Sequence, residues 1–167
     1  MTTDDHTNAQ AKPQSSAPNP ALLRLSAFVG EWEWEASIGG QPIGRGRTVF
    51  EWLEGGAFLI EHADAEQVEF PNATAIIGCD DSTGMYCMLQ VDSRGISRIY
   101  QMGLSDGVWN LWRQAPGFSQ RFTGAFSGDG TSIRGCWEKS GDGSQWEYDF
   151  DLTYTKVTEI ARKAQEL

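Results

Sequence analysis

Positively charged residues are scarce in this chain of 167 residues, which has 13 lysines and arginines against 23 aspartates and glutamates. The formal net charge is therefore -10 at pH 7. Phosphate backbones and anionic membrane surfaces repel a domain of this charge. We therefore expect no nucleic-acid partner and no docking on membranes.

Cysteine, histidine and long apolar runs are scarce as well. Cys79, Cys87 and Cys136 form an odd set without a Cys-x-x-Cys pair, which argues against a secreted disulfide framework. Reduced thiols in the cytoplasm are the expectation, since the acidic N-terminus does not resemble a signal peptide. No apolar run approaches the ~20 residues of a membrane helix. His62 and dispersed cysteines do not make a zinc set, so no metal is expected.

Aromatic residues are abundant, with seven tryptophans and eight phenylalanines, and they alternate with acidic residues. In residues 31–36, Trp32, Trp34 and Ala36 share one face and glutamates the other. Residues 146–154 repeat the pattern, which places Tyr148 among the apolar positions. A period of two is typical of half-buried strands.

Turn signals rich in Gly, Asp, Ser and Pro recur at a regular step from residue 39 to residue 143, and each joins two strand-like runs. The connections are too short for crossover helices, so neighbouring strands must be antiparallel. We predict an all-β, about ten-stranded up-and-down barrel over residues 19–156, with one short helix after Asn19-Pro20. Residues 1–18 are predicted to be a disordered tail, and residues 157–167 a C-terminal tail. A two-sheet sandwich is the alternative.

Three stretches carry a resemblance to a known family. Gly30-Glu31-Trp32, at the head of the first strand, resembles the calycin barrels, which include lipocalins, fatty-acid-binding proteins and nitrobindins. Residues 25–34, 51–59 and 77–80 are similar to a bacterial calycin-like family of unknown function, and the similarity runs from about residue 22 to residue 155. The resemblance implies a barrel with an internal cavity but no particular substrate.

Nitrobindin-type barrels bind haem through a histidine near the end of the chain. The last predicted strand here has no histidine, and Glu33-Trp34-Glu35-Ala36 stands where the haem barrels have glycines. We therefore expect no nitrobindin-type haem and no other cofactor.

The hairpin around Gly55-Gly56 leaves two possibilities for the cavity. Pairing Leu53 with Phe58 puts Glu51 and His62 on one face. The other face carries Phe50, Trp52 and Glu61, and we favour it as the inner face because it holds two large aromatic rings. Whichever face is internal, one carboxyl group points into the barrel. Glu51, Glu61 and His62 are therefore the candidate catalytic residues.

A second polar candidate follows from the turn at residues 92–95. A bulge at Gly95 would pair Leu89 with Arg98 and Cys87 with Tyr100. Arg98 would then be placed to bind a ligand carboxylate, as internal arginines do in fatty-acid-binding barrels, and Arg113, Arg121 and Arg134 are the alternative candidates. The candidate ligand-binding residues are Trp34, Phe50, Trp52, Glu61, Arg98, Tyr100, Trp112, Phe122, Trp137 and Tyr148.

Three functions remain open. Ten strands enclose more space than eight, which side chains can just fill, so we favour binding of a small hydrophobic or amphiphilic ligand in the barrel. The alternative is an isomerase- or cyclase-type enzyme that uses the buried carboxyl group. The third is a scaffold without a ligand, whose dimer contact would be an apolar outer face, for instance around Phe50 and Trp52. Both a monomer and a homodimer are compatible with the sequence.

Overall fold

The computed structural model describes residues 19–158, which form a closed barrel of ten antiparallel strands. Each strand pairs with its neighbours in the chain, and the first strand pairs with the last. The predicted up-and-down barrel is confirmed. The strands are β1 (Gly30–Ile38), β2 (Gln41–Trp52), β3 (Leu59–Ala65), β4 (Ala73–Cys79), β5 (Tyr86–Asp92), β6 (Ser97–Ser105), β7 (Val108–Arg113), β8 (Ser119–Phe126), β9 (Ser132–Ser140) and β10 (Glu147–Lys156).

The predicted domain boundaries stay predictions. Residues 1–18 lie outside the described part of the chain, as do residues 159–167 of the predicted C-terminal tail. Of the helices between residues 19 and 158, none has the length and apolar character needed to cross a bilayer.

The predicted N-terminal helix is present as a 3₁₀ helix, Pro20–Ala27, at one end of the barrel. Asn19 caps it, since its side-chain oxygen accepts a hydrogen bond from the Ala21 N–H at 2.9 Å. Leu22 and Leu25 point into the barrel and are buried. The helix therefore attaches to the barrel through its apolar face.

Phe28, directly after the helix, plugs this end of the barrel. Its ring is fully buried, and its centroid lies 4.9 Å from that of Trp109, 5.3 Å from Phe50 and 5.1 Å from Phe126. Edge-to-face contacts of this kind add to the stabilisation from apolar burial. The aromatic residues at this end of the barrel therefore form a packed core.

The hairpin between β2 and β3 has the predicted register. The Leu53 N–H donates to the Phe58 carbonyl at 2.9 Å, and Phe50 lies opposite Glu61. Phe50 and Glu61 are buried, whereas Glu51 is exposed. Of the two possibilities for this hairpin, the structure has the face of Phe50, Trp52 and Glu61 inside. The apolar outer face suggested around Phe50 and Trp52 is therefore absent.

The register predicted for β5 and β6 is wrong by one residue. Met88 lies opposite Tyr100, and Gln90 lies opposite Arg98. Gly95 has the positive φ, 79°, that the predicted bulge requires, but the Asp92 N–H donates to the Ile96 carbonyl, so the pairing beyond this turn begins with Val91 opposite Ser97. The shift exchanges the faces of β5, so Met88 and Gln90 join Tyr100 and Arg98 inside.

Candidate functional site

A cavity of about 210 Å³ lies inside the barrel, at the end opposite the 3₁₀ helix. Gln120, at the start of β8, lines the cavity, whereas Phe126, at the end of that strand, packs on Phe28 below. The large apolar side chains of the wall are those of Trp34, Phe70, Trp137, Phe150, Leu152 and Tyr154, and smaller ones such as Ala63 complete it. The cavity is open to solvent at this end of the barrel, and it is space that the inward side chains leave unfilled.

Large aromatic side chains keep the cavity small. Trp109 and Phe122 are buried with ring centroids 5.1 Å apart, and Trp109 lies 5.9 Å from Tyr154. Phe122 in turn lies 5.3 Å from Trp137. Tyr154 and Trp137 reach the cavity, and the other two rings lie beneath it. Phe122, like Phe50 and Trp52, therefore faces inward without lining the cavity.

Glu61 is a buried carboxyl group in the cavity wall, with only 7% of its surface exposed. Its described polar contact is the Thr48 hydroxyl, 3.2 Å from Oε1. That hydroxyl also lies 3.1 Å from the His62 carbonyl, so its single proton serves one of the two acceptors. No lysine or arginine between residues 19 and 158 forms an ion pair with Glu61.

Burial raises the pKa of Glu61 from 4.5 to about 7, and the Thr48 hydrogen bond lowers it by a smaller amount. Near neutral pH the side chain is therefore divided between the acid and the carboxylate. The protonated form donates a hydrogen bond, and the ionised form accepts a proton. Tyr154, also buried, has a pKa raised well above its ordinary value by burial and by the nearby Glu61 charge, so it stays neutral.

A second polar group, Arg98, Tyr100 and Gln120, lies on the wall of the same cavity. The Tyr100 hydroxyl donates to Gln120 Oε1 at 2.8 Å, and Arg98 Nη1 donates to the same oxygen at 3.3 Å. The Arg98 guanidinium also stacks 4.9 Å from the centre of the Phe118 ring. Gln120 was missed by the sequence analysis. The alternation of side chains along β8 could have identified it, because Gln120 lies on the same face of the strand as Phe122.

One unsatisfied donor lies in the same wall. Trp34 lines the cavity, and its indole N–H is buried with no acceptor among the described residues. A buried donor without an acceptor costs roughly 1–3 kcal/mol.

Two predicted ligand-binding residues lie on the outside of the barrel. Trp112 alternates with the buried Leu111 and belongs to an outer row with Gln101 and Arg121. Tyr148 is 47% exposed, because a bulge between Tyr148 and Phe150 interrupts the alternation of β10. Neither of these two rings reaches the cavity.

The other two candidate catalytic residues are also outside. Glu51 and His62 lie on the outer face, with side chains 60% and 46% exposed and 3.8 Å between His62 Nε2 and Glu51 Oε1. His62 Nδ1 lies 3.3 Å from the Thr74 hydroxyl. Of the three candidates, only Glu61 is in the cavity.

A larger hollow, of about 1070 Å³, is a groove on the outer surface across β1, β2 and β8–β10. Its wall is polar and includes the exposed ion pair of Arg45 and Glu66, at 2.7 Å. Exposed ion pairs of this kind contribute little to binding or stability. The internal cavity, where a buried acid meets aromatic walls, is therefore the candidate site.

The residues around the cavity do not fit a nitrobindin-type haem. His62 is the one histidine in the described part of the chain, and it lies on the outer face. The cavity wall has no histidine to serve as the axial ligand that such a haem requires. No step of the proposed chemistry therefore involves haem.

Comparison with known proteins supports the fold alone. No family model matches the chain, and no curated protein matches it. Among solved structures, it is similar to Rv2717c from M. tuberculosis, with a TM-score of 0.57 and 16% sequence identity. The similarity covers 84% of this chain and 99% of that one. The chain is thus a ten-stranded antiparallel barrel with a solved structural neighbour, and the calycin-like family stays a prediction.

Proposed function

We propose that the protein binds a small amphiphilic molecule inside the barrel. The observation that carries the proposal is the internal cavity, whose wall is mainly aromatic and aliphatic with a few polar groups. Sites for small molecules have this composition, because apolar walls supply affinity and a few polar groups set orientation.

The volume favours a compact ligand. Pockets for drug-sized molecules measure roughly 300–1,000 Å³, and this cavity, at about 210 Å³, is smaller. An apolar cavity of about 150 Å³ already accepts benzene. We therefore expect a ligand with a single ring or a short branched chain rather than a long-chain fatty acid.

The polar groups favour a ligand that carries hydrogen-bond acceptors. Arg98 offers a fixed positive charge, and protonated Glu61 offers an O–H. A carbonyl or carboxylate group is an acceptor for donors of both kinds. The apolar part of the ligand would then contact the aromatic wall.

The first test uses a fluorophore with a single aromatic ring, which suits the cavity volume, and two variants in which an alanine is replaced by phenylalanine. Ala63 lines the cavity and Ala125 is exposed on β8. Because Ala63→Phe fills the cavity, we expect it to weaken fluorophore binding at least about tenfold, or ~1.4 kcal/mol. Binding is measured by the quenching of tryptophan emission, which Trp34 and Trp137 in the wall report. Ala125→Phe is the matched control and should bind like the unmodified protein.

Two results would contradict ligand binding in the cavity. One is the absence of fluorophore uptake by the unmodified protein at micromolar concentration. The other is equal binding by the Ala63→Phe and Ala125→Phe variants, which would place the fluorophore outside the barrel.

A second candidate function is proton-transfer catalysis of the isomerase type, and it is favoured by Glu61. A carboxyl group with a pKa of about 7 is suited to act as both acid and base at neutral pH. The ligand retained by the purified protein would be identified by native mass spectrometry and then incubated with the protein in D₂O. We expect deuterium to enter the ligand with the unmodified protein and not with Glu61→Gln. If the unmodified protein bound the ligand without any exchange, catalysis of this type would be excluded.

A further inference from the structure

We propose that the outer face of strands β2–β6 is a contact surface between two copies of this chain. The inference is independent of the ligand, because it concerns the outside of the barrel. The alternation of side chains along these strands leaves several aliphatic residues on this face.

One row of aliphatic side chains crosses four neighbouring strands. Ile60 lies opposite Ile76, Ile76 opposite Leu89, and Leu89 opposite Ile99. Ile76, Leu89 and Ile99 are 40%, 42% and 66% exposed. Cross-strand neighbours on one face touch each other, so the row is a continuous apolar strip.

Further apolar side chains flank this strip on both sides. Phe58 is 45% exposed and covers Gly78 on the neighbouring strand, where an added Cβ would lie 3.1 Å from its ring. Val49 and Val91 are 37% and 43% exposed in the row on the other side, with the polar His62 and Thr74 between them. We call the whole set the apolar face: Val49, Phe58, Ile60, Ile76, Leu89, Val91 and Ile99.

The opposite outer wall of the barrel has a different character. There, β1 exposes Glu33 and Glu35, and β9 exposes Arg134. Thr123 on β8 and Thr155 on β10 are exposed as well. The apolar face is therefore a local property of β2–β6, and exposure of aliphatic side chains is not general on this barrel.

The area of the apolar face matches what a dimer contact needs. Its exposed apolar surface is on the order of 500 Å², at the upper end of the largest patches on monomers. A standard interface buries about 800 Å² per partner, of which roughly 60% is apolar. The apolar face thus supplies the apolar share of one such interface, and its neighbours would supply the polar rim.

The other possible occupants fit less well. Residues 1–18 contain one large apolar residue, Met1, and residues 159–167 contain two, Ile160 and Leu167. These segments offer too little apolar area to cover seven side chains. The net charge of -10 disfavours anionic membranes and nucleic acids. A second copy meets the apolar face with an identical aliphatic strip, which ends on β2 at the exposed Glu51 opposite Ile60, and twofold dimers are the commonest assemblies of soluble proteins.

The experiment compares the mass of the full chain in solution with that of two lysine variants. Ile99→Lys places a charge within the apolar face, and Thr155→Lys places the same charge on the opposite wall. By sedimentation equilibrium at micromolar concentration we expect a dimer for the unmodified chain and for Thr155→Lys. Ile99→Lys should raise the dissociation constant at least about tenfold, because a charge replaces the most exposed aliphatic side chain of the contact and loses its hydration there.

Two native cysteines provide an independent measurement that does not depend on a substitution. Cys87 is exposed at the border of the apolar face, between Gly78 and Gln101, and Cys136 lies on the opposite wall. Raising the protein concentration should slow maleimide labelling of Cys87 and leave the labelling rate of Cys136 unchanged. A chain ending at Thr158 should behave in the same way as the full chain.

Any of four results would overturn the proposal. They are a monomer at every concentration, a dimer that Ile99→Lys does not weaken, labelling of both cysteines that slows equally, and a dimer that appears only when the chain ends at Thr158. The last result would show that the C-terminal segment covers the apolar face.

Discussion

Glu61→Gln is expected to stabilise the protein by about 3 kcal/mol at pH 8 and to leave its stability nearly unchanged at pH 4. The prediction follows from the pKa of Glu61, which is about 7 in the folded barrel and 4.5 as the ordinary value. A difference of this size corresponds to about 3 kcal/mol between the two protonation states. Glutamine has nearly the same shape and carries no charge, so it avoids the cost of burying the carboxylate.

The direction of the pH dependence can be worked out from the two pKa values. Below pH 4.5 the carboxyl group is protonated in both states, and Glu61 has no pH-dependent effect on the free energy of unfolding. Between pH 4.5 and pH 7 the unfolded chain loses the proton while the folded barrel keeps it, so stability falls as pH rises. Above pH 7 both states are ionised and the full cost is present.

The measurement is urea unfolding of both proteins at pH 4 and pH 8. Glu51→Gln is the matched control, because Glu51 lies on the same hairpin with its side chain 60% exposed. It should show no comparable gain at pH 8. Asp129 also has a shifted pKa, lowered to about 2 by hydrogen bonds from Ser127 and Thr131. Because it is present in all three proteins, its effect on the free energy of unfolding cancels when they are compared. An equal effect of Glu61→Gln at both pH values would mean that the carboxyl group is not buried as described.

Phe28→Ala is expected to cost about 3–5 kcal/mol of the free energy of unfolding. The ring is fully buried and contacts Phe50, Trp109 and Phe126, so its removal leaves a cavity between the 3₁₀ helix and the barrel. The surrounding rings belong to rigid strands and can close only part of this space. The loss therefore includes both the transfer free energy of the ring and the cost of the cavity.

The control for this prediction is Leu23, on the exposed face of the 3₁₀ helix that precedes Phe28. Leu23 is 69% exposed, so Leu23→Ala should change stability by less than about 0.5 kcal/mol. Denaturant unfolding with tryptophan fluorescence measures both variants, and Trp109 reports directly on the position of Phe28. A loss of stability as small for Phe28→Ala as for Leu23→Ala would show that the plug is not part of the cooperative fold.

Local patterns in the sequence were sufficient to predict most of the barrel. Alternation placed Trp32 and Ala36 on the inner face of the first strand. The pair Gly55-Gly56 predicted the register of the β2–β3 hairpin. Both are short-range properties, because side chains alternate across a strand and a short turn determines which residues oppose each other.

Two of the wrong assignments, in β5–β6 and in β10, come from a turn or a bulge that shifts the register of a strand by one residue. In β5 and β6, the Asp92 N–H bonds to the Ile96 carbonyl, and the resulting register pairs Tyr100 with Met88 instead of Cys87. In β10, a bulge turned Tyr148 outward while Phe150 kept the predicted direction. Trp112 was wrong for another reason: β7 carries apolar residues on both of its faces, so alternation does not identify the inner one.

The sequence by itself determined the strand order, the turns, the acidic character and the requirement that one hairpin carboxyl group be buried. Only the tertiary structure decided that this group is Glu61, and that Arg98 and Gln120 lie on the wall of the same cavity. It also decided that aromatic rings fill half of the barrel and leave about 210 Å³. The physical reason is the distance along the chain over which each property is determined. Strand direction follows from neighbouring residues in the sequence. Burial, pKa and cavity volume depend on side chains that are distant in the sequence and that closure of the barrel brings together.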